Sequence, residues 1–330
     1  MTRVAVLGPD TLQYDCAAEA DRITRWIVEA LTERLHRRGL VVAISGGIDS
    51  SVCAALAVRA LGPNKVFGLL MPERDSSAFS SDRGRLLAEH LGISHEVFDI
   101  APALDGLGCY RQRDDAIRRV FPQYSDGWKN KIVIAGGTAG GINYFKLVVA
   151  SPSGEQHEAR LPVREYLQIV AATNFKQRVR KTMDYFHADR LNYAVVGTPN
   201  RLEYDQGFFV KLGDGAADIK PIAHLYKTQV YAMARWLGLP DEICRAQPTT
   251  DTYTLPQGQD EFYFALPYPE MDLALWGLNN GVEASALAAA FSISPNKAER
   301  IYSDIEAKRR MSRYLHASAE TVEPVEPVAH

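Results

Sequence analysis

Apolar residues recur at helical spacing across residues 18–40, with Ile23, Trp26, Ile27, Ala30, Leu31 and Leu35 on one face. This period predicts an amphipathic helix. It leads into Val41-Val42-Ala43-Ile44, a short all-apolar run that reads as a strand, and the alanine-rich stretch 52–57 reads as the next helix. Residues 65–71 (KVFGLLM) predict a buried strand, 81–91 a helix, and 95–100 (HEVFDI) another strand. Strand and helix periods alternating in this way predict βαβ units and an α/β fold, a doubly wound, mainly parallel sheet with helices on both faces. In such sheets ligands gather at the carboxyl ends of the strands.

From about residue 101 to 163 the pattern breaks. Gly136-Gly137 and Gly140-Gly141 fall here, followed by strand-like runs at 145–150 and 157–163. Between the runs, Ser151-Pro152-Ser153-Gly154 is a turn sequence, so an inserted β-hairpin is expected. The helical period returns over 164–187, Tyr193-Ala194-Val195-Val196 reads as a strand, and Gly197 opens a second loop. A helix over 226–237 is stopped by Gly238 and Pro240. Residues 253–261 are polar and irregular, and Ser294-Pro295 caps a last helix that continues past Arg310. The chain reads as one domain over residues 1–316 with an insertion at about 101–163, without internal repeats. The tail 317–330, with Pro324, Pro327 and several glutamates, is expected to be disordered.

With 330 residues, 46% of them hydrophobic, the chain can bury a substantial core. A formal charge of −3 and a pI near 6.3 provide no global electrostatic footprint for nucleic acid. Residues 282–310 imitate a helix-turn-helix, but short helix pairs are common packing elements and the acidic chain argues against a DNA contact. Cys16, Cys53, Cys109 and Cys244 are scattered without CxxC spacing, which fits neither a disulfide framework nor a zinc cluster and points to the reducing cytoplasm. The early run Val4-Ala5-Val6-Leu7 is too short for a signal segment, and no stretch reaches the length of a membrane span.

Chemistry concentrates at residues 45–51, Ser-Gly-Gly-Ile-Asp-Ser-Ser, between the first predicted strand and its helix. Backbone N–H groups converge at a helix N-terminus, where the dipole favours an anion such as phosphate. Gly46 and Gly47 keep Cβ atoms out of the way, and Ser45 and Ser50 add hydroxyl donors. Asp49 would repel a phosphate by itself and therefore points to a metal ion. The GxxxxGK[ST] pattern is absent, so there is no loop lysine. A second rim segment, residues 197–203 (GTPNRLE), places Thr198 and Glu203 after a strand in the same way. Asp49 and Glu203 would together suit one magnesium ion completed by phosphate oxygens and water.

The loop resembles the pyrophosphate-binding SGGxDS loop of the ATP pyrophosphatases. Further segments extend the resemblance: residues 174–180 (NFKQRVR), 197–203, 207–218 (GFFVKLGDGAAD), 225–229 (LYKTQ) and 248–251 (PTTD). Taken in this order, they make the chain similar to the ammonia-dependent NAD synthetases over roughly residues 20–275, apart from the insertion. The resemblance implies the adenine-nucleotide alpha hydrolase-like fold and an ATP-dependent amide ligase that converts deamido-NAD to NAD through an acyl-adenylate, releasing AMP and pyrophosphate. It implies an ATP site at Ala43, Ile44, Ser45, Gly46, Gly47, Ile48, Asp49 and Ser50, with Thr198, Lys227 and Thr249. Asp49 and Glu203 would hold Mg2+, Lys227 would stabilise the reacting phosphorus, and Arg178, Lys211 and Asp218 would bind deamido-NAD. A homodimer with substrate at its interface is also implied. The length beyond the match has no room for a glutaminase domain, so ammonia would be free or come from a separate glutaminase partner.

The residues themselves carry plainer readings as well. Arg178 and Arg180, with Lys176 and Lys181, read as a solvated helix face. Phe208 and Phe209 read as core or interface packing, and Cys53 as a buried small residue. Lys227 opens a helix, where a cation is disfavoured by the dipole, which hints at a bound anion. The family's C-terminal His-Lys pair is incomplete, because residues 306–310 (EAKRR) lack the histidine and leave Lys308 as the candidate. That departure, with the insertion and the segment 253–266, motivates a rival acid substrate. A nucleotide-binding regulator without catalysis and an RNA-modifying pyrophosphatase are more distant alternatives.

Overall fold

The computed structural model describes residues 7–8, 10–135, 144–246, 253–255, 263 and 266–325. At its centre lie four parallel strands in the order β3-β2-β1-β7: β1 (Leu40–Ala43), β2 (Val66–Leu70), β3 (Ser94–Val97) and β7 (Ala194–Val196). Leu40 pairs with Val66 on one side and Ala194 on the other. The apolar runs of β1, β2 and β7 form strands because both faces are covered by helices, whereas β3 is exposed along its length at the sheet edge. Leu40 and Val42 enter a core shared with α1 (Cys16–Glu29), α2 (Ile48–Leu61) and α8 (Lys227–Trp236), while Val41, Leu69 and Val195 enter the opposite core beneath α6 (Val163–Leu191). This alternation is the two-residue period of a strand, made visible by packing instead of polarity. The chain builds β1, β2 and β3 outward on one side and then returns to set β7 on the other. The switch point between β1 and β7 is where a crevice opens at the carboxyl edge.

The helices follow local signals. Asp15 caps α1 by accepting from the N–H groups of Ala17 and Ala18 at 2.9 and 3.1 Å. A wider π-helical turn continues α1 through Leu35 and ends at His36, whose φ is 49°. α3 (Ala78–Leu91) joins β2 to β3. Ser294 caps α12 (Pro295–His316) by accepting the Lys297 N–H, as expected. α10 (Tyr268–Asn279), α11 (Ala284–Phe291) and α12 enclose their own core with Leu202 of α7 (Arg201–Gln206), so the helix pair that imitates a DNA reader packs inward through Leu287, Ile301 and Ile305. A short α9 (Asp241–Cys244) completes the helices around the sheet. Among the described residues no helix is long and apolar enough to cross a membrane. Residues 317–325 carry neither helix nor strand and are exposed, and the rest of the predicted tail lies outside the described residues.

The insertion is richer than a hairpin. β5 (Tyr144–Ala150) and β6 (Gln156–Arg160) pair antiparallel across the expected turn, where the Gly154 N–H donates to Ser151 O at 2.9 Å. A third strand, β4 (Lys129–Ala135), pairs with the other edge of β5. Its opening Lys-Asn-Lys hides a two-residue period in which Asn130 and Ile132 are fully buried. Two helices precede it, α4 (Ala101–Gly106) and α5 (Cys109–Val120). α5 escapes sequence patterning because a core position is held by an arginine: Arg113 is 2% exposed and is neutralised by Asp75 at 2.5 Å. Gly136, Gly137, Gly140 and Gly141 lie outside the described residues.

Candidate active site

β1 ends at Ala43, and the chain turns through Gly46 into α2 at Ile48. Gly46 has φ +75°, and a Cβ there would meet Ser80 O at 2.3 Å, so α3 packs directly against the turn. Glycine is required at this position by both its backbone and its neighbour. Gly47 is different: it is extended, and its Cβ would meet only Ser45 Oγ at 3.2 Å. The serine hydroxyls bind the turn together. Ser45 Oγ and Ser50 Oγ lie 3.1 Å apart, and Ser51 Oγ donates to Gly47 O at 2.8 Å. The first helical bond of α2 runs from Ser51 N to Gly47 O, so the N–H groups of Ile48, Asp49 and Ser50 lie ahead of the ladder at the positive end of the helix.

Three elements converge on Asp49. Its Oδ1 accepts from Asn200 Nδ2 at 3.0 Å, and its Oδ2 accepts from Lys227 Nζ at 2.5 Å. Asn200 is also the cap of α7: its Oδ1 accepts from the N–H groups of Leu202 and Glu203, while Glu203 Oε2 accepts the Asn200 N–H at 3.1 Å. This capping box fixes Glu203 on the same rim as Asp49. The N-x-x-E spacing of Asn200 and Glu203 is a signal for this cap that is legible in the sequence.

Lys227 is 1% exposed and opens α8. Asp272, reaching over from α10, accepts the N–H groups of Lys227 and Thr228 at 3.2 and 2.7 Å. A buried carboxylate thus occupies the capping position and offsets the unfavourable cation at a helix start. Asp272 was not legible from sequence, since it lies 45 residues away on another helix.

The ionisations are interdependent. Withdrawal from bulk water, then the Asp49 charge, pushes the Glu203 carboxyl up to about 8, against the pull of Lys227. Burial favours neutral Lys227, but Asp49 and Glu203 outweigh it and hold the ammonium above its ordinary range. Burial raises Asp272 to about 6, with the two N–H bonds and Lys227 opposing. The Cys53 thiol, fully buried in α2, is pushed up by burial and by Asp49 and Glu203, as suits an inert packing residue.

Asp49, Glu203 and Lys227 face a cavity of about 870 Å³. Ala43, Ile44, Ser45, Gly47, Ile48, Asp49, Ser50, Thr198, Glu203, Lys227 and Lys308 all line it, and Gly46 is buried within the turn. Arg83 of α3, absent from the sequence reading, adds a cation to the wall while its Nε donates to Gly46 O at 3.1 Å. Lys308 is paired with Asp304 at 2.6 Å and lies 5.0 Å from the Tyr263 ring centre, and burial lowers its pKa. Ala307, where the expected histidine is missing, also lines the cavity, as do Phe208 and Phe209. Phe208 contributes to packing too, 4.8 Å from the Tyr263 ring.

Three proposed substrate residues lie away from this cavity. Arg178 is exposed on α6 and donates from Nε to Lys211 O at 3.3 Å. Lys211 Nζ donates to Tyr314 O and Ala317 O, both at 2.9 Å, and stands 4.2 Å from the Tyr314 ring centre. Asp218 accepts the Val195 N–H at 2.7 Å and the Tyr185 hydroxyl at 3.3 Å. Thr249 lies outside the described residues.

The reading of a solvated basic face on α6 is corrected for three of its four residues. Lys176 is 2% exposed and bridges Glu73 and Asp75 at 2.9 and 2.7 Å. Lys181 is buried against Asp184 at 2.9 Å, and Arg180 Nε donates to Met71 O at 3.2 Å. The loop after β2 brings the Glu73 and Asp75 carboxylates to Lys176, and Lys176, Arg180 and Lys181 all line the cavity, so this face of α6 is turned to the site. Only Arg178 is exposed.

Residues 19–118 and 146–313 match the family model described as NAD synthase. The chain is 57% identical over 324 residues to an NH(3)-dependent NAD(+) synthetase of Rhizobium meliloti (strain 1021), covering 98% of this chain and 97% of that one. A synthetase of the same name from Thermotoga maritima is 35% identical over 284 residues, covering 85% and 92% of the two chains. Among solved structures, the NMN synthetase from Francisella tularensis has a TM-score of 0.64 at 22% identity, covering 94% of this chain and 99% of that one. The NH3-dependent NAD synthetase from Campylobacter jejuni has a TM-score of 0.61 at 20% identity, covering 94% and 100%. At these identities the structural likeness concerns the fold.

Proposed function

The chain belongs to the NAD synthase family, and from that premise we propose that it amidates deamido-NAD to NAD with ATP and ammonia. The observation that carries this reading is the Lys227–Asp49 pair at the mouth of the α2 turn, with Glu203 beside it. An oxygen of the nicotinate carboxylate attacks the α phosphorus, the bond to the β phosphate breaks, and pyrophosphate leaves. Ammonia then attacks the acyl carbon, AMP leaves with the C–O electron pair, and the surplus proton passes to water. Two easier displacements replace one hard one.

The N–H groups of Ile48, Asp49 and Ser50, with Ser45 and Arg83, suit the departing pyrophosphate. Lys227 sets a fixed positive charge beside the α phosphoryl group, where it counters charge developing in the transition state. Asp49 and Glu203 fit a divalent cation by their chemistry: two oxygen donors on one rim, with Glu203 held up in part by an incompletely neutralised neighbour. Magnesium held there would neutralise phosphate charge. Ala43, Ile44 and Thr198 would flank ATP, and Thr249 keeps its proposed ATP contact from the resemblance.

Arg178, Lys211 and Asp218 are proposed to meet deamido-NAD at a homodimer interface. The exposed apolar side chains Leu212, Met311 and Tyr314 beside Lys211 favour such pairing. Lys308 is proposed as the fourth substrate residue. The one-domain reading of residues 1–316 is kept as a proposal, as is a cytoplasmic location, to which the four free cysteines are suited. Ammonia would be free or delivered by a separate glutaminase.

Incubating the purified protein with ATP, magnesium, ammonium and deamido-NAD should yield NAD, AMP and pyrophosphate in equal amounts. Failure to form NAD would sink the assignment. Ala307, standing in the cavity wall in place of a histidine, favours one second reading, amidation of another acid. Faster pyrophosphate release with a different carboxylic acid would establish it.

A further inference from the structure

The NAD synthase match passes over residues 119–145, the segment that holds all of β4 and the start of β5. Its placement follows from α6. Arg180 bonds to Met71 at the carboxyl end of β2, so the part of α6 before it projects past the sheet edge. Tyr166, fourteen residues earlier, lies about 21 Å further along the helix axis at the usual rise per residue. The inserted sheet packs on this projecting half of α6, with Ile132, Leu147 and Val149 meeting Ile169. It therefore roofs the cavity whose floor is the α2 turn.

Ile134, Tyr144, Phe145 and Tyr166 all line that cavity and all remain partly open to it. Phe145 and Tyr166 are stacked with ring centres 4.2 Å apart and planes 13° from parallel. Ile134 pairs with Phe145 in the β4–β5 ladder and so shares its face of the sheet. Arg160 stands 5.3 Å from the Tyr144 ring centre. Tyr166 thus supports one face of Phe145, and the partly open ring is held in one orientation. An aromatic platform of this kind suits a flat heteroaromatic ring, with little entropy left to lose on binding.

We propose that Phe145, backed by Tyr166, is a specificity-determining residue that stacks the adenine ring of the dinucleotide substrate. The proposal rests on the deamido-NAD reading above. The nicotinate carboxylate must reach the α phosphorus beside Lys227 at the sheet edge, so the roof meets the opposite end of an extended dinucleotide. The base of ATP has a nearer apolar slot in Ile44, Leu69, Leu70 and Met71, which line the cavity beside the α2 turn.

The test compares wild type, Phe145→Leu and Phe145→Tyr in steady-state NAD formation, varying deamido-NAD and ATP separately. Phe145→Leu keeps apolar bulk but loses the ring. Its KM for deamido-NAD should rise about tenfold, with kcat and the KM for ATP within about twofold, and Phe145→Tyr should restore the wild-type KM. A rise confined to the KM for ATP would reassign the platform to the ATP base and overturn the proposal. Unchanged constants for both substrates, in a variant with wild-type thermal stability, would also overturn it. If Phe145→Leu melts early, Tyr166→Leu provides the second variant and should raise the same KM. Absence of NAD formation by the wild type would instead defeat the functional reading itself.

Discussion

Lys227 donates to Asp49 at 2.5 Å, although 178 residues separate them in the chain. The pair closes the α2 turn against the start of α8, and Asp272 fixes the lysine from behind. Lys227→Ala should lower kcat for NAD formation by about a hundredfold to a thousandfold, the range for loss of one transition-state donor. Removing one member of so buried a pair should also cost about 3–5 kcal/mol of stability. Steady-state kinetics with a urea melt checks both, and a variant with near-normal kcat would contradict this role for the lysine.

Asp272 acts through Lys227 and not on substrate. Asp272→Ala removes the acceptor for two N–H groups at the start of α8 and should cost about 1–2 kcal/mol. Asp272→Asn retains one oxygen acceptor and should lie between that variant and wild type. Because the lysine is displaced while the α2 turn is untouched, kcat should fall further than the KM for ATP rises. Equal kinetics in all three proteins would reduce Asp272 to a helix cap alone.

Glu203 gives a pH signature. Its folded pKa, about 8, is raised from 4.5, so between these values the folded protein holds a proton that the unfolded chain has released. Stability of the metal-free protein should therefore fall as pH rises through that window. Magnesium competes with the same proton, so the rise in melting temperature from added magnesium should be larger at pH 8 than at pH 6. Glu203→Gln should flatten both dependences. Calorimetry at the two pH values, with and without magnesium, decides it.

Gly46 and Gly47 should respond differently to alanine. At Gly46 the positive φ and the approach of Ser80 O predict a loss of about 1–3 kcal/mol and a raised KM for ATP as α3 is pushed from the turn. Gly47→Ala meets only the Ser45 hydroxyl and should fold with near wild-type stability. Similar melting temperatures for the two variants would mean that the turn does not depend on the Ser80 contact.

By itself the sequence determined the sheet and which residues stand on its rim. Apolar runs at 40–43, 66–70 and 194–196 become strands because parallel strands need no polar alternation, and the glycine turn, Asp49, Glu203 and Lys227 are local signals that survived folding unchanged. Tertiary structure decided what depended on partners distant in the chain. Arg113 and Lys176 read as surface charges until Glu73 and Asp75 arrive to neutralise them in the interior, and β4 reads as a polar segment until β5 pairs with it. Asp272 becomes a cap only when α10 lies across α8. Local pattern records the cost of burial for one side chain at a time, whereas a buried charge is tolerated only by the pair.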